Sequence, residues 1–146
     1  MILSHKIVSS EAEFDSFREA VKQAGLPHQD LNYQSQVLIS YYQDDKMIGT
    51  GGLEVLERFA LLRSVSVLSD HRSQNIGKKI TSNILSHAKE SNLESVYLLT
   101  ETAKDYFQKL GFEEISRENV PAEIKLTTEF AQTCPASATC MVLRLK

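Results

Sequence analysis

Apolar positions along this 146-residue chain switch between a helical and an extended period, and each switch marks a new element. Phe14, Phe17, Val21 and Ala24 recur at spacings of three and four, the signature of a single buried helical face. Just before them, Ser10-Glu11-Ala12-Glu13 forms a capping box in which the serine oxygen accepts from the third helical N–H and the glutamate reaches back. With Gly25 and Pro27 closing the stretch, the pattern predicts a helix over 11–24, preceded by a short strand at 5–9. Residues 25–36, which include Pro27, His28, Gln29, Asp30 and Asn32, have no clear period and read either as a loop or as one short helix.

Residues 37–42 are dense in β-formers, Asp44-Asp45 is a turn, and 47–55 resumes an extended pattern, which together predict a hairpin. Gly49, Gly51 and Gly52 interrupt its second arm; a bulge explains them, or a neighbour pressed close to the backbone. After a turn near Glu57-Arg58, residues 61–68 alternate, with Val65 and Val67 on one face and Ser64 and Ser66 on the other. Ile76, Ile80, Ile84 and Ala88, widened by Leu85, then predict a helix that follows the strand through a short polar turn. Because that helix intervenes, the next strand, 95–100, is expected to lie parallel to 61–68. Thr102 to Asp105 opens a short helix with Ala103, Phe107 and Leu110 on its apolar side and Gly111 at its end. A strand at 112–117, a helix from Pro121 to about Ala131 and a last strand at 141–145 complete one α/β domain over 1–146, without repeats or linkers.

Composition narrows the class of function. Hydrophobic residues at 42% and charged residues at 24% are those of an ordinary globular protein. Sixteen basic residues against nineteen acidic ones give a net charge of −3, so no general field draws the chain to nucleic acid or an anionic membrane. An anionic ligand has to be held by a local site. No run approaches the ~18 apolar residues of a membrane span, and the N-terminus has no secretory pattern, which points to the cytoplasm. Cys134 and Cys140 are too few for a disulfide framework and match no common zinc pair. His5, His28, His71 and His87 are scattered singly and read as surface or turn residues, so no metal site is expected.

The candidate chemistry lies in the polar turn Arg72–Gly77. A tight turn feeding a helix N-terminus presents backbone N–H groups and a positive dipole end to a phosphate, and Lys78 and Lys79 add charge there. Small polar residues also suit a plain strand-to-helix turn. Together, Val65-Ser66-Val67, His71-Arg72-Ser73-Gln74-Asn75-Ile76-Gly77 and Tyr106-Phe107-Gln108-Lys109-Leu110-Gly111-Phe112 resemble the GNAT N-acetyltransferase superfamily over about residues 47–117. Its loop has the form Arg/Gln-x-x-Gly-x-Gly/Ala; here Asn75 replaces the first glycine, and asparagine enters the left-handed region at modest cost.

The resemblance implies a mixed, mostly antiparallel sheet splayed between its fourth and fifth strands, flanked by helices, with acetyl-CoA as co-substrate. It implies pantetheine on the backbone of Val65 and Val67, and pyrophosphate on Arg72, Ser73, Gln74, Asn75, Ile76, Gly77 and Lys78. The family's acid is a tyrosine; here Phe107 stands at that position beside the cofactor and Tyr106 one residue earlier, either as the acid or as packing. Glu54, with Glu57 as runner-up, is the candidate base, the alternative being a solvated strand-end glutamate. Arg63 suits either an anionic substrate group or a cross-strand ion pair.

Leu61–Val65, Leu98–Ala103, Arg117, Val120–Ile124, Thr128–Phe130 and Cys134–Ala138 further resemble the arsenic-resistance N-acetyltransferase branch, extending the likeness over about 45–145. That branch implies a small amine as acceptor, an amino acid or an arsenic-containing amino acid. Arg63, Thr100, Glu101, Arg117 and Cys134 would line its pocket, and a homodimer is the assembly held open. Two other classes compete with an enzyme: a CoA-binding module without catalysis, and an arsenite or metal binder using Cys134 and Cys140, which otherwise are buried and inert.

Overall fold

The computed structural model of the chain describes residues 3–68, 75–101, 103–127, 130 and 138–145. Strand β1 (Ser4–Ile7), helix α1 (Glu11–Gln23) and strands β2 (Val37–Gln43), β3 (Lys46–Leu56) and β4 (Phe59–Val67) are followed by α2 (Ile76–Glu90) and β5 (Ser95–Thr100). Helix α3 (Lys104–Lys109), β6 (Glu113–Glu114), α4 (Ala122–Lys125) and β7 (Thr139–Arg144) follow. The strands form one seven-stranded sheet in the order β1-β2-β3-β4-β5-β7-β6. Only β4 and β5 run parallel; every other neighbouring pair is antiparallel, in line with the expected α/β fold.

Local chemistry explains the elements. Gln43 and Lys46 pair across a two-residue turn in which Asp44 and Asp45 both have positive φ, 52° and 66°, the conformation that matches the twist of a tight hairpin. Helix α2 lays Ile76, Ile80 and Ile84, all fully buried, on one face of the sheet with Ile39, Ile48 and Leu62. Each such side chain contributes about 1.5–3 kcal/mol by burial. On the opposite face, Phe17 and Val21 of α1 pack on Leu38, and α4 places Ile124 against Leu61, Tyr97 and Val142.

Glycines allow α2 to approach. A Cβ on Gly51 would lie 2.0 Å from Ile84 Cδ1, and one on Gly49 would lie 2.5 Å from Ile80 Cδ1 and 2.8 Å from the Ser66 carbonyl. The bulge and the close neighbour weighed from the sequence are therefore both present. β3 and β4 slip in register between Thr50/Ser66 and Gly52/Arg63, so Ser64 and Val65 together oppose Gly51, and Ser64 turns left-handed at φ 60°.

One alternative left open by the sequence is decided and three expectations change. Residues 25–36 form turns, not a helix, because Asn32 and Gln36 side chains take the backbone bonds: Asn32 N–H donates to Gln36 Oε1 (3.0 Å) and Gln34 N–H to Asn32 Oδ1 (2.9 Å). The strand expected at 112–117 shrinks to Glu113–Glu114 and gives way to a 3-10 turn at Arg117–Asn119. The helix expected to reach Ala131 stops at Lys125, where Thr127 Oγ1 donates to the Ile124 carbonyl (2.8 Å) and accepts from Phe130 N–H (3.2 Å). Finally, the bulge breaks the strict alternation of β4. Leu61 packs on one face and Leu62 with Val65 and Val67 on the other, so Arg63 lies on the face opposite Val65, not on its own.

Candidate active site

The β4–β5 ladder holds for three pairs, Phe59↔Ser95, Ala60↔Val96 and Leu61↔Tyr97, and then stops. Beyond it β4 stays paired with β3 as far as Val67, and β5 with β7 as far as Thr100, so the two strands diverge. The wedge between them is a cavity of about 1000 Å³, walled by residues 62–67 of β4 and by residues 98–101 at the end of β5. Gly77, Tyr106 and Phe107 also line it, as do Lys22 and residues 24–29. A narrow slot with strand backbone along its side suits an extended chain that adds to the sheet.

At one end of this cavity stands the N-terminus of α2. Asn75 has φ 58° and ψ 23° and makes no side-chain cap, the first turn contains no acid, and Lys78 and Lys79 are exposed beside it. Gly77 is closely overlain, since a Cβ there would lie 3.1 Å from the Tyr106 hydroxyl. Of the residues expected to hold pyrophosphate, Asn75, Ile76, Gly77 and Lys78 are at this end, with Ile76 buried in the core; Arg72, Ser73 and Gln74 lie outside the described residues.

Tyr106 and Phe107 both line the cavity despite the 100° turn between them. Phe107 is buried edge-to-face between Tyr106 (centroids 5.1 Å) and Phe112 (5.6 Å). Burial pushes the Tyr106 phenol above its usual range, with a hydrogen bond to Thr81 pulling the other way, so the group is protonated at neutral pH and can donate.

The bulged strand supplies the middle of the site. Ser64 lines the cavity, and its Oγ is buried without a hydrogen-bond partner among the described residues. Such an unsatisfied hydroxyl costs about 1–3 kcal/mol unless something fills its need. Arg63, whose side chain is fully buried, grips Asp30 with two nitrogens (Nη1–Oδ2 2.6 Å, Nη2–Oδ1 2.7 Å) and Glu54 with one (Nη1–Oε1 3.1 Å). The Arg63 guanidinium holds the Asp30 carboxyl below its usual range, against the effect of burial. Breaking a buried pair of this kind costs about 3–5 kcal/mol.

This arrangement sorts the sequence candidates. Val65, Val67, Thr100, Glu101, Tyr106 and Phe107 come together around the cavity. Arg63 reaches its wall, but its fork already holds carboxylates of the chain, the ion-pair alternative. Glu54 does not line the cavity; its carboxylate accepts from Arg63 on the face opposite Val65, which the bulge makes inevitable. Arg117 is also outside it, stacked 5.2 Å above Phe130 and donating to the Ala138 carbonyl (3.1 Å). Cys134 lies outside the described residues, and burial pushes the Cys140 thiol up to about 11, which keeps it protonated and a poor metal ligand at neutral pH. No group of three or more metal-ligating side chains occurs among the described residues, and no helix among them is long and apolar enough to cross a membrane. Sequence reasoning missed Ser64, which reaches the cavity through the bulge, His28, which does so from an aperiodic segment, and Lys22, in the last turn of α1.

Comparison with known proteins agrees with this geometry. Residues 6–128 match the family model of the acetyltransferase (GNAT) domain. No curated protein matches the chain in sequence. Among solved structures, it is similar to N-acetylglutamate synthase from Neisseria gonorrhoeae complexed with coenzyme A and N-acetyl-glutamate, with TM-score 0.81 and 12% identity. That match covers 100% of this chain but only 36% of the synthase, so the chain spans about a third of its length. A Mycobacterium tuberculosis protein, Rv2747, in complex with CoA has TM-score 0.78 and 20% identity with 100% of both chains covered. An acetyltransferase of the GNAT family from Staphylococcus aureus has TM-score 0.73 and 17% identity, covering 98% of this chain and 100% of that one. At such identities the likeness is one of fold.

Proposed function

The chain belongs to the acetyltransferase (GNAT) family, an acetyl-CoA-dependent group, and from that premise we propose that it transfers the acetyl group to the amine of a small carboxylate-bearing molecule, an amino acid or an arsenic-containing amino acid. The observation that carries this reading is the wedge between β4 and β5, which has room for a pantetheine arm along β4 and for an acceptor against residues 24–29. In this reading the backbone of Val65 and Val67 holds the pantetheine amides. The turn Arg72–Gln74 with Asn75, Gly77 and Lys78 takes the pyrophosphate at the positive end of α2.

Acetyl transfer joins the amine nitrogen to the thioester carbon and breaks the C–S bond. The nitrogen sheds its protons and the departing thiolate gains one. Tyr106, protonated and inside the cavity, is the donor in this reading, with Phe107 shielding the sulfur from water. Thr100 and Glu101 face the acceptor, and Lys22, which is in no ion pair among the described residues, replaces Arg63 and Arg117 as partner for an acceptor carboxylate.

Thermal unfolding with and without acetyl-CoA, followed by thiol release across a panel of amino acids, an arsenic-containing amino acid and simple alkylamines, tests the proposal. Ligand at about 100 times its dissociation constant is expected to add about 2.7 kcal/mol. Amines bearing a carboxylate are expected to turn over faster than those without. Stabilisation without thiol release would leave a CoA-binding module; neither effect would refute the reading altogether.

A further inference from the structure

We propose that His28 is the general base that takes a proton from the acceptor ammonium in this site, an inference that rests on the acetyl-transfer reading above. His28 is the one histidine among the described residues that lines the cavity. Its Nδ1 lies 3.3 Å from the Leu26 carbonyl. A carbonyl can only accept, so the bond requires the proton on Nδ1 and leaves Nε2 of the neutral ring as a proton acceptor.

His28 is placed by the chain's own clamp. Asp30, two residues on, is gripped by both terminal nitrogens of Arg63 on β4, and Leu31 N–H donates to the His28 carbonyl (3.4 Å). Two residues span at most about 7 Å of chain, so the backbone of His28 belongs to the segment that Arg63 anchors to β4. Ser64 Oγ, buried and without a partner among the described residues, lies in the lining of the same cavity and is available to a polar ligand. Asp30 is in this sense a positioning residue: its carboxylate is consumed by Arg63 and holds the wall that carries the base.

The step balances. Nε2 takes one proton from R–NH3+, giving an imidazolium and R–NH2, whose lone pair forms the C–N bond as C–S breaks. The second proton shed by the nitrogen matches the one gained by the thiolate, and the imidazolium returns its proton to water. Among the described residues, the other ionisable groups facing this cavity are Lys22 from α1, Arg63 from β4, Glu101 after β5 and Tyr106 from α3; Asp30 and Glu54 reach it only through Arg63. Of these, the neutral imidazole ring is the group whose free ring nitrogen offers a lone pair for this task.

The test compares wild type and His28→Gln with acetyl-CoA, using the panel amine that releases thiol fastest and, separately, hydroxylamine, which is already unprotonated at neutral pH. For the protonated amine, kcat/KM is expected to fall by about 10²–10⁴-fold and to lose the limb on the acid side of its wild-type pH profile. Hydroxylamine turnover, corrected for the enzyme-free reaction, and acetyl-CoA affinity are expected to stay close to wild type. Equal losses with both nucleophiles, or a persisting limb, would overturn the role of His28 while leaving acetyl transfer intact. Nitrogen-15 NMR of the wild type gives a variant-free check: the neutral His28 ring is expected to be protonated at Nδ1, and the other tautomer overturns the proposal. Absence of thiol release from wild type with every amine removes the acetyl-transfer reading, and this proposal with it.

Discussion

Helices α1 and α2 begin in opposite ways. At α1, Ser10 is extended (φ −140°, ψ 161°), its Oγ accepts from Glu13 N–H at 3.2 Å, and Glu13 Oε1 accepts from Ser9 N–H at 2.9 Å. Glu11 and Glu13 set negative charge against the positive end of the dipole. At α2, Asn75 is left-handed and its own side chain makes no cap, the first helical turn holds no acid, and two lysines follow. Cations there oppose the dipole by about 0.3–1 kcal/mol each. One end is capped from within the chain, whereas the other presents positive charge that an anion would complement in the proposed function, and it is the second that stands on the cavity.

Gly77→Asp attacks this contrast hardest. It gives α2 the acid that α1 has and places a side chain under the Tyr106 hydroxyl, 3.1 Å from the new Cβ. Acetyl-CoA affinity, measured by calorimetry, is expected to fall on the order of 100-fold, the equivalent of losing one charge-assisted hydrogen bond of about 2.7 kcal/mol. Unchanged affinity would show that the start of α2 does not receive the anion.

The converse experiment is Ser10→Ala, which removes the internal cap of α1. It is expected to cost about 1 kcal/mol in denaturant unfolding, with acetyl-CoA affinity unaltered. A pH series adds a check on the same end. The hydrogen bond from Lys6 (2.6 Å) and the Ser9 N–H lower the Glu13 pKa from 4.5 to about 2. A carboxyl depressed in the folded state stabilises fully above its unfolded value, so this contribution is expected to hold above pH 4.5 and disappear as pH falls toward 2. Carbon-13 titration of Glu13 that tracks an ordinary glutamate would remove the cap from the account of α1.

These two ends also show how far the sequence was readable. The capping box of α1 and the four-residue ladder Ile76, Ile80, Ile84, Ala88 of α2 are local patterns, and both helices form where those patterns lie. The parallel pairing of β4 and β5 was legible from connectivity, since a helix separates them. The glycines of β3 suggested a bulge but not its place at Ser64, because that depends on a slip against Gly51 that only the packed sheet decides, and this slip puts Arg63, with Glu54, on the face opposite Val65. Residues 25–36 carry no period, so nothing local revealed that Asp30 would find Arg63, 33 positions away, and set His28 on the cavity wall.

Lys78→Glu sharpens the comparison by making α2 resemble α1 in charge without adding bulk beneath Tyr106. The ligand-free protein is expected to gain about 0.3–1 kcal/mol in denaturant unfolding from the favourable dipole contact, while acetyl-CoA binds more weakly. The two observables therefore move in opposite directions. If stability and affinity rose or fell together, the lysine would be acting through packing and not through charge at the helix end.

Asn75→Gly is the smallest change and separates backbone from side chain. Asn75 occupies in α2 the place that Ser10 occupies in α1, yet its side chain makes no cap, so its conformation, φ 58°, is what matters. Glycine adopts that conformation without a Cβ penalty but has more freedom to lose on folding, and the two effects oppose each other within about 1 kcal/mol. The unfolding midpoint is therefore expected to change little, and acetyl-CoA affinity to hold or improve. A clear loss of affinity would mean that the Asn75 amide itself touches the ligand, in which case the α2 terminus works through side chains, as α1 does, and the contrast would lie in what each side chain binds: the chain's own N–H at α1, an external anion at α2.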